Sequence, residues 1–190
     1  MALYSRLLRI FILGLAFIPP SVAYAAIDKM AIPNDQGISF FWWPHIKPPA
    51  GWEQDKSYSY RYGFYALVPI GQSFGKAETI IYAKANYKPR DPDIKSLTAF
   101  IERDKKEFID NEPTLQITEG PALQTADQKT FISYSFSPQK GGDWAVASYG
   151  EEGDFYLTFV ISSHSKEGLE QAIPLYTSIL AGYKEDPSTP

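Results

Sequence analysis

Alternation of apolar and polar residues marks most of the second half of the chain as β-strand. The most regular stretch places Phe155, Leu157, Phe159 and Ile161 on one face, with Tyr156, Thr158 and Ser162 opposite. Shorter runs of the same kind predict strands at 38–43, 64–68, 77–87, 115–117, 130–136 and 144–149. The loops between the last strands are only a few residues long, which favours antiparallel hairpins over crossovers.

Two stretches change to the helical period. The first is predicted to begin at a cap on Asp93 and to end before Pro113. The second begins near Ser165, and Pro174 lies inside it, where a proline costs roughly 3 kcal/mol, so either a kink there or a start nearer Ile173 is open. Its apolar stripe comprises Leu169, Ala172, Ile173, Tyr176, Ile179, Leu180 and Tyr183.

This order of elements predicts an α+β fold with a single antiparallel sheet of about six or seven strands. Two amphipathic helices are expected to pack over one oily face of the strand meander. Residues 26–184 are predicted to form one domain, and residues 185–190 a disordered tail.

The first 25 residues read as a cleavable secretory signal peptide. Arg6 and Arg9 precede an apolar run at 10–18, which is too short for a bilayer span of roughly 20 residues. A double proline follows, and the stretch ending at Ala25 has the small-x-small pattern of a cleavage site. The protein is therefore predicted to be periplasmic or secreted. An uncleaved membrane anchor is the alternative, which the double proline disfavours.

Charge and cysteine content exclude several classes of function. The formal net charge is −4 at pH 7 and no basic block is present, so nucleic acid is not a predicted partner, because phosphate contacts dominate that affinity. The chain has no cysteine, which excludes a thiol nucleophile, a thiolate metal site and a lipid anchor on cysteine. No later stretch is apolar enough to predict a membrane span after signal cleavage.

No catalytic, cofactor or metal motif stands out. The glycine-bearing run at 71–77 is one residue short of a phosphate loop and lacks the hydroxyl that would hold magnesium. His45 and His164 are the only histidines, and no G-x-S-x-G elbow surrounds a serine. The acids at 151–154 do not follow the calcium-loop spacing and are interpreted as a solvated hairpin tip. The sequence therefore predicts no catalytic residue, no metal ligand and no cofactor.

An aromatic, proline-bearing segment at 26–62 is the one feature that points to a binding function. Tyr58, Tyr60 and Tyr62 alternate at period two, which predicts one tyrosine-bearing strand face. Consecutive strand residues face opposite ways, so Trp42 and Trp43 are not expected to enter the same core. The segment is either an exposed interaction surface or a flap that covers the sheet. The candidate binding residues are Trp42, Trp43, His45, Trp52 and Tyr60.

The order of the elements resembles a known family. Pro49-Ala50-Gly51-Trp52 is followed by a strand at 63–69, a helix and an antiparallel meander, and the last strand, 159–163, precedes an amphipathic helix. This arrangement, over roughly residues 49–184, is similar to the PsbP/Mog1-type α+β fold, also seen in DcrB-like exported bacterial proteins. The resemblance implies a central antiparallel sheet with packed helices, and binding or accessory proteins without a shared catalytic residue. It carries over no functional residue.

Together these observations predict an exported soluble binding or accessory domain without catalytic activity. A protein partner or a small ligand is expected at the aromatic segment, and a purely structural role in an assembly stays open. The alternative is a hydrolase that uses carboxylates or His45, which would need a cleft where one of these groups meets a second polar group.

Overall fold

A computed structural model describes residues 27–35 and 37–184. The predicted signal peptide at 1–25 and the predicted tail at 185–190 lie outside these residues, and the domain boundaries stay a prediction. The strands of this part are β1 (Ile27–Asn34), β2 (Gly37–Pro44), β3 (Trp52–Gln54), β4 (Tyr65–Pro69), β5 (Thr79–Tyr87), β6 (Gln116–Glu119), β7 (Leu123–Gln124), β8 (Thr130–Ser137), β9 (Trp144–Glu152) and β10 (Phe155–Ser163). The helices are α1 (Lys56–Tyr62), α2 (Leu97–Asn111) and α3 (Lys166–Gly182), and a 3-10 turn covers Lys88–Arg90.

All strand pairs are antiparallel, and seven strands form the ordered path β1-β2-β5-β10-β9-β8-β6. Strand β4 pairs with β5 on the same edge as β2. Strand β3 pairs with β4, and β7 pairs with β8. Trp42 lies opposite Ala85, and Tyr65 lies opposite Ala83, so β2 and β4 divide that edge of β5 between them. The predicted α+β class with one antiparallel sheet is confirmed. Strands β1, β3 and β7 and helix α1 were not predicted.

The central strand β10 is buried along its whole length. Its odd-numbered residues, including Phe159, join the cluster that contains Tyr176 of α3, and its even-numbered residues, including Val160, join the cluster that contains Phe100 of α2. Neighbouring strand residues point to opposite sides, so the two helices cover opposite faces of the sheet. We call these sides the α3 face and the α2 face. The expectation that both helices share one oily face is therefore wrong, because β10 is apolar enough on both sides to bury each.

Serine caps set the first turn of both long helices. Helix α3 begins after Ser165, whose Oγ accepts from the Gly168 N–H at 3.1 Å, and it runs through Pro174 to Gly182, so the start near residue 173 is wrong. Helix α2 begins after Ser96, whose Oγ accepts from the Ala99 N–H at 3.1 Å. The predicted cap at Asp93 is wrong, because that residue lies in a preceding turn. No helix in the described part of the chain is long and apolar enough to cross a membrane.

The tyrosine segment is a helix, not a strand. The Asp55 carboxylate accepts from the Tyr58 N–H at 3.0 Å and begins α1, and Gly63 ends it with a φ of 73°. A larger residue at position 63 would be strained by this positive φ. Its Cβ would also clash with the Phe41 ring, because it would lie 2.1 Å from Cδ1. The helical period places Tyr58 and Tyr62 on one side, with ring centroids 4.4 Å apart. The predicted period-two face is therefore wrong.

Candidate functional site

The exposed apolar side chains gather in the segment that the sequence singled out. Within the described residues, six large apolar side chains are exposed, and four of them lie at 38–62. These four are Ile38 (63% exposed), Phe40 (36%), Tyr60 (44%) and Tyr62 (48%). Strand β2 and the end of α1 therefore present aromatic surface to solvent, where aromatic side chains act as interface anchors.

Strand β2, the end of α1 and the end of β5 enclose a shallow groove of about 280 Å³. We call it the aromatic groove. It forms where β2 and β4 separate along the edge of β5, and Phe41 packs onto Gly63 at this point. Its lining includes Phe40, Phe41, Trp42, Tyr62, Phe64, Lys84, Tyr87, Arg90 and Asp91.

Cations lie over the rings of this region. The Arg90 guanidinium carbon is 4.3 Å from the Trp42 ring centroid, and Arg90 Nη1 donates to the Phe40 carbonyl at 2.8 Å. Lys29 Nζ lies 4.5 Å from the Phe40 ring centroid, and the Arg61 guanidinium carbon 5.5 Å from that of Tyr62. Cations over aromatic faces are attracted by the ring quadrupole. The surface therefore combines apolar area with positive charge on a chain that is acidic overall.

The two predicted tryptophans contribute differently. Trp42 is half-buried, and its ring stacks on Tyr87 at 5.3 Å, so it forms a wall of the groove. Trp43 is 2% exposed and belongs to the α3-face core, with its ring 6.3 Å from that of Tyr65. Both rings contact the same core, which overturns the expected separation, because β2 pairs with β5 at only one position and ends at Pro44.

The other predicted residues lie apart from the groove. Trp52 on β3 is half-buried and packs against the α3-face core. Tyr60 lies on the other side of α1 from Tyr62, with its ring 6.1 Å from that of Trp43. Neither residue lines the aromatic groove. Sequence reasoning missed Tyr87 and Arg90, which only the pairing of β2 with β5 brings to Trp42.

His45 is held by an acid on the neighbouring strand. Its Nδ1 lies 3.1 Å from Oδ2 of Asp28, and both side chains are more than a third exposed. Burial, followed by the charge of Asp28, raises the pKa of nearby Tyr65 to about 12. His45 lines a cavity of about 190 Å³ beside the end of α3, and Ser178 and Tyr183 line it as well. The Ser178 hydroxyl donates to the Leu175 carbonyl at 2.7 Å, and the Tyr183 hydroxyl donates to Glu152 at 2.5 Å. Neither hydroxyl is directed to the imidazole as a nucleophile would be.

The remaining polar candidates are separate from one another. His164 precedes α3, and its Nδ1 lies 2.7 Å from Asp143 Oδ1; this hydrogen bond and the carboxylate charge raise the pKa of His164. Glu152 is 1% exposed and accepts from Tyr183, so it does not belong to a solvated hairpin tip as expected. Among residues 27–35 and 37–184, no three histidine, aspartate or glutamate side chains group closely enough to hold a metal.

Comparison with solved structures shows a structural likeness. The chain is similar to the solution structure of cyanobacterial PsbP from Synechocystis sp. PCC 6803, at 14% identity over 84% of this chain and 92% of that one, with a TM-score of 0.44. No protein-family model matches this sequence, and no curated protein matches it.

Proposed function

We propose that this chain is an exported, non-catalytic accessory protein that binds a protein partner through the aromatic groove and the exposed side chains beside it. The observation that carries the proposal is the concentration of exposed aromatic and aliphatic side chains at 38–62. Export is supported by the signal-like pattern of residues 1–25. Tryptophan, tyrosine and arginine are the residues that most often dominate binding energy at protein interfaces, and all three occur here.

The charges around the groove define the partner. Lys29, Arg61 and Arg90 lie over its rings, and only Asp91 among the lining residues carries a negative charge. Asp91 is paired with Arg103 at 3.0 Å, which reduces its contribution. A partner surface with apolar side chains surrounded by carboxylates therefore complements this region. Such a partner associates faster at low ionic strength.

Site-specific photo-crosslinking in the producing cells tests this proposal. A photoreactive phenylalanine analogue replaces Ile38 in one variant and Ile109 in the other. Both isoleucines are exposed, the first on β2 and the second on α2. The proposal expects a protein adduct from position 38 and none of the same mass from position 109. The captured protein is then purified, and its affinity for the unmodified chain is measured at two salt concentrations.

The affinity measurement decides between the outcomes. Phe40→Ala and Tyr62→Ala are each expected to weaken binding about tenfold or more, as anchor residues do, and higher salt is expected to weaken it further. Ile109→Ala serves as the matched control and leaves the affinity unchanged. Equal adducts from both positions, or affinity that survives both aromatic replacements in folded protein, would show that this surface is not the binding site. An adduct with a small molecule instead of a protein would contradict the assigned partner class.

A further inference from the structure

A second cleft lies on the α2 face, at the opposite end of β5 from the aromatic groove. Its volume is about 470 Å³, within the range of small-molecule sites. Helix α2 ends at Asn111, before it covers this end of the sheet, and the 138–143 turn forms the far side. The floor includes Phe136 and Val160, each 2% exposed, so the cleft reaches down to buried residues of the sheet.

The walls of this cleft are aromatic. Phe108 of α2 lies against Phe136 of β8 with ring centroids 4.6 Å apart, and Tyr82 of β5 completes the lining. Burial raises the pKa of Tyr82, so its hydroxyl stays protonated and uncharged at neutral pH.

The charged residues of the cleft are all acidic. Glu112 and Asp143 line it, and no lysine, arginine or histidine does. Glu112 Oε1 accepts from the Thr114 hydroxyl at 2.6 Å, while Asp143 Oδ1 lies 2.7 Å from His164 Nδ1 outside the lining. An anion such as a fatty-acid carboxylate would therefore meet negative charge at the mouth, whereas a cation would meet carboxylates and aromatic faces.

We propose that this cleft binds a small organic cation with an apolar chain, placing the chain over Phe136 and Val160 and the cationic group near Glu112 and Asp143. The site is independent of the aromatic groove and of the function proposed for it. The size of the cleft suits a single short-chain ligand of this type.

Three matched probes test the class of ligand: hexyltrimethylammonium, hexan-1-ol and hexanoate, titrated by calorimetry and by amide chemical shifts. The cation is expected to bind most tightly, the alcohol less tightly and the anion least. Shifts are expected at residues on the floor and walls, namely Ile80, Tyr82, Ala145 and Ser162. Equal binding of cation and alcohol, preference for hexanoate, or shifts confined to the Trp42 region would overturn the proposal.

Two variants assign the recognition to the named residues. Glu112→Gln with Asp143→Asn is expected to weaken binding of the cation about threefold to tenfold and to leave the alcohol unchanged; both side chains are exposed, so the fold is not at risk. Ala145→Leu places a larger side chain in the cleft and is expected to weaken binding of both the cation and the alcohol. Ala31→Leu, at an exposed position of β1, is its control. Undiminished binding of the cation in the double variant would overturn the charge assignment. Phe40→Ala is expected to leave all three probes unaffected, so failure here is distinct from failure at the aromatic groove.

Discussion

The two faces of the sheet bury the same central strand but are closed to different degrees. On the α3 face, a helix of 17 residues packs against β5, β7, β9 and β10, and its Leu180 is fully buried. On the α2 face, a helix of 15 residues packs mainly against β9 and leaves a cleft of about 470 Å³ beyond its end. The sheet is apolar on both sides, so the difference comes from the length and position of the covering helix.

This difference separates stability from binding. A face that is filled to native density contributes stability and offers no room for another molecule. A face covered only in part leaves apolar area that a ligand can still bury. The aromatic groove follows the same logic at the sheet edge, where β2 and β4 share one strand and leave space between them. Both candidate sites thus lie where the packing of this fold is incomplete.

Truncating one phenylalanine on each face gives the largest expected contrast. Phe159→Ala on the α3 face removes a fully buried ring and is expected to cost about 3–5 kcal/mol of unfolding free energy. Phe108→Ala on the α2 face removes a half-buried ring beside the cleft and is expected to cost about 1 kcal/mol. Urea unfolding monitored by circular dichroism measures both. Equal losses would show that the α2 face is as tightly closed as the α3 face.

The same contrast explains which parts of the fold were predictable. Period-two alternation identified β8, β9 and β10, and the helical stripe of α3 identified the residues that contact the sheet, because burial of apolar side chains fixes both patterns. The faces that the helices cover were not predictable from periodicity alone. Tyr156 was placed on the outer side of β10, yet it is buried and stacks on Phe100 of α2, since a strand buried on both sides need not alternate.

The candidate site was predictable only in part. Trp42 was identified by its residue type, but its neighbours Tyr87 and Arg90 come from a strand and turn more than 40 residues later, and pairing with β5 alone brings them together. Helix α1 had a readable signal, since Asp55 and Gly63 are typical cap residues that outweigh the period-two tyrosines. Burial of Glu152 had no readable signal, because its partner Tyr183 lies 31 residues later in the chain, directly after α3.

For buried tyrosine hydroxyls, the larger loss of unfolding free energy is expected on the α2 face, which is the reverse of the order expected for the two phenylalanines. On the α2 face, the Tyr149 hydroxyl donates to Asp104 Oδ2 at 2.7 Å, and the nearest cation, Lys84 Nζ, is 3.6 Å from the other oxygen. Tyr149→Phe leaves a buried carboxylate without this bond, for an expected loss of about 1.5–3 kcal/mol. On the α3 face, Tyr176 contacts the neutral Ser148 hydroxyl at 2.7 Å, and Ser148 keeps its bond to Ser133 when Tyr176 becomes Phe.

Tyr176→Phe is therefore expected to cost only about 0.5–1.5 kcal/mol, because both lost partners, the Ser148 hydroxyl and the Phe159 carbonyl, are neutral. Chemical unfolding of the two single variants at neutral pH measures the difference. Phenylalanine keeps the ring volume, so packing is matched between the variants. A greater loss from Tyr176→Phe would mean that the Asp104 carboxylate is satisfied by Lys84 or solvent and that the polar groups do not distinguish the faces.

The smallest expected effect lies where the two faces meet, at His164 before α3 and Asp143 at the cleft. The hydrogen bond to Asp143, followed by its charge, raises the pKa of His164 above its ordinary value of about 6.5. A raised folded-state pKa means that the stabilisation is complete below about pH 6.5 and is lost as the pH rises through the folded value. Both side chains are more than half exposed, so the gain is under about 1 kcal/mol.

Titration of the His164 ring protons by NMR checks this coupling directly. Asp143→Asn is expected to lower the pKa of His164 and to reduce stability more at pH 5.5 than at pH 8.5, because a smaller fraction of the imidazole is protonated at the higher pH. A stability loss that is equal at both pH values would assign Asp143 to the packing of the 138–143 turn instead of to the ion pair.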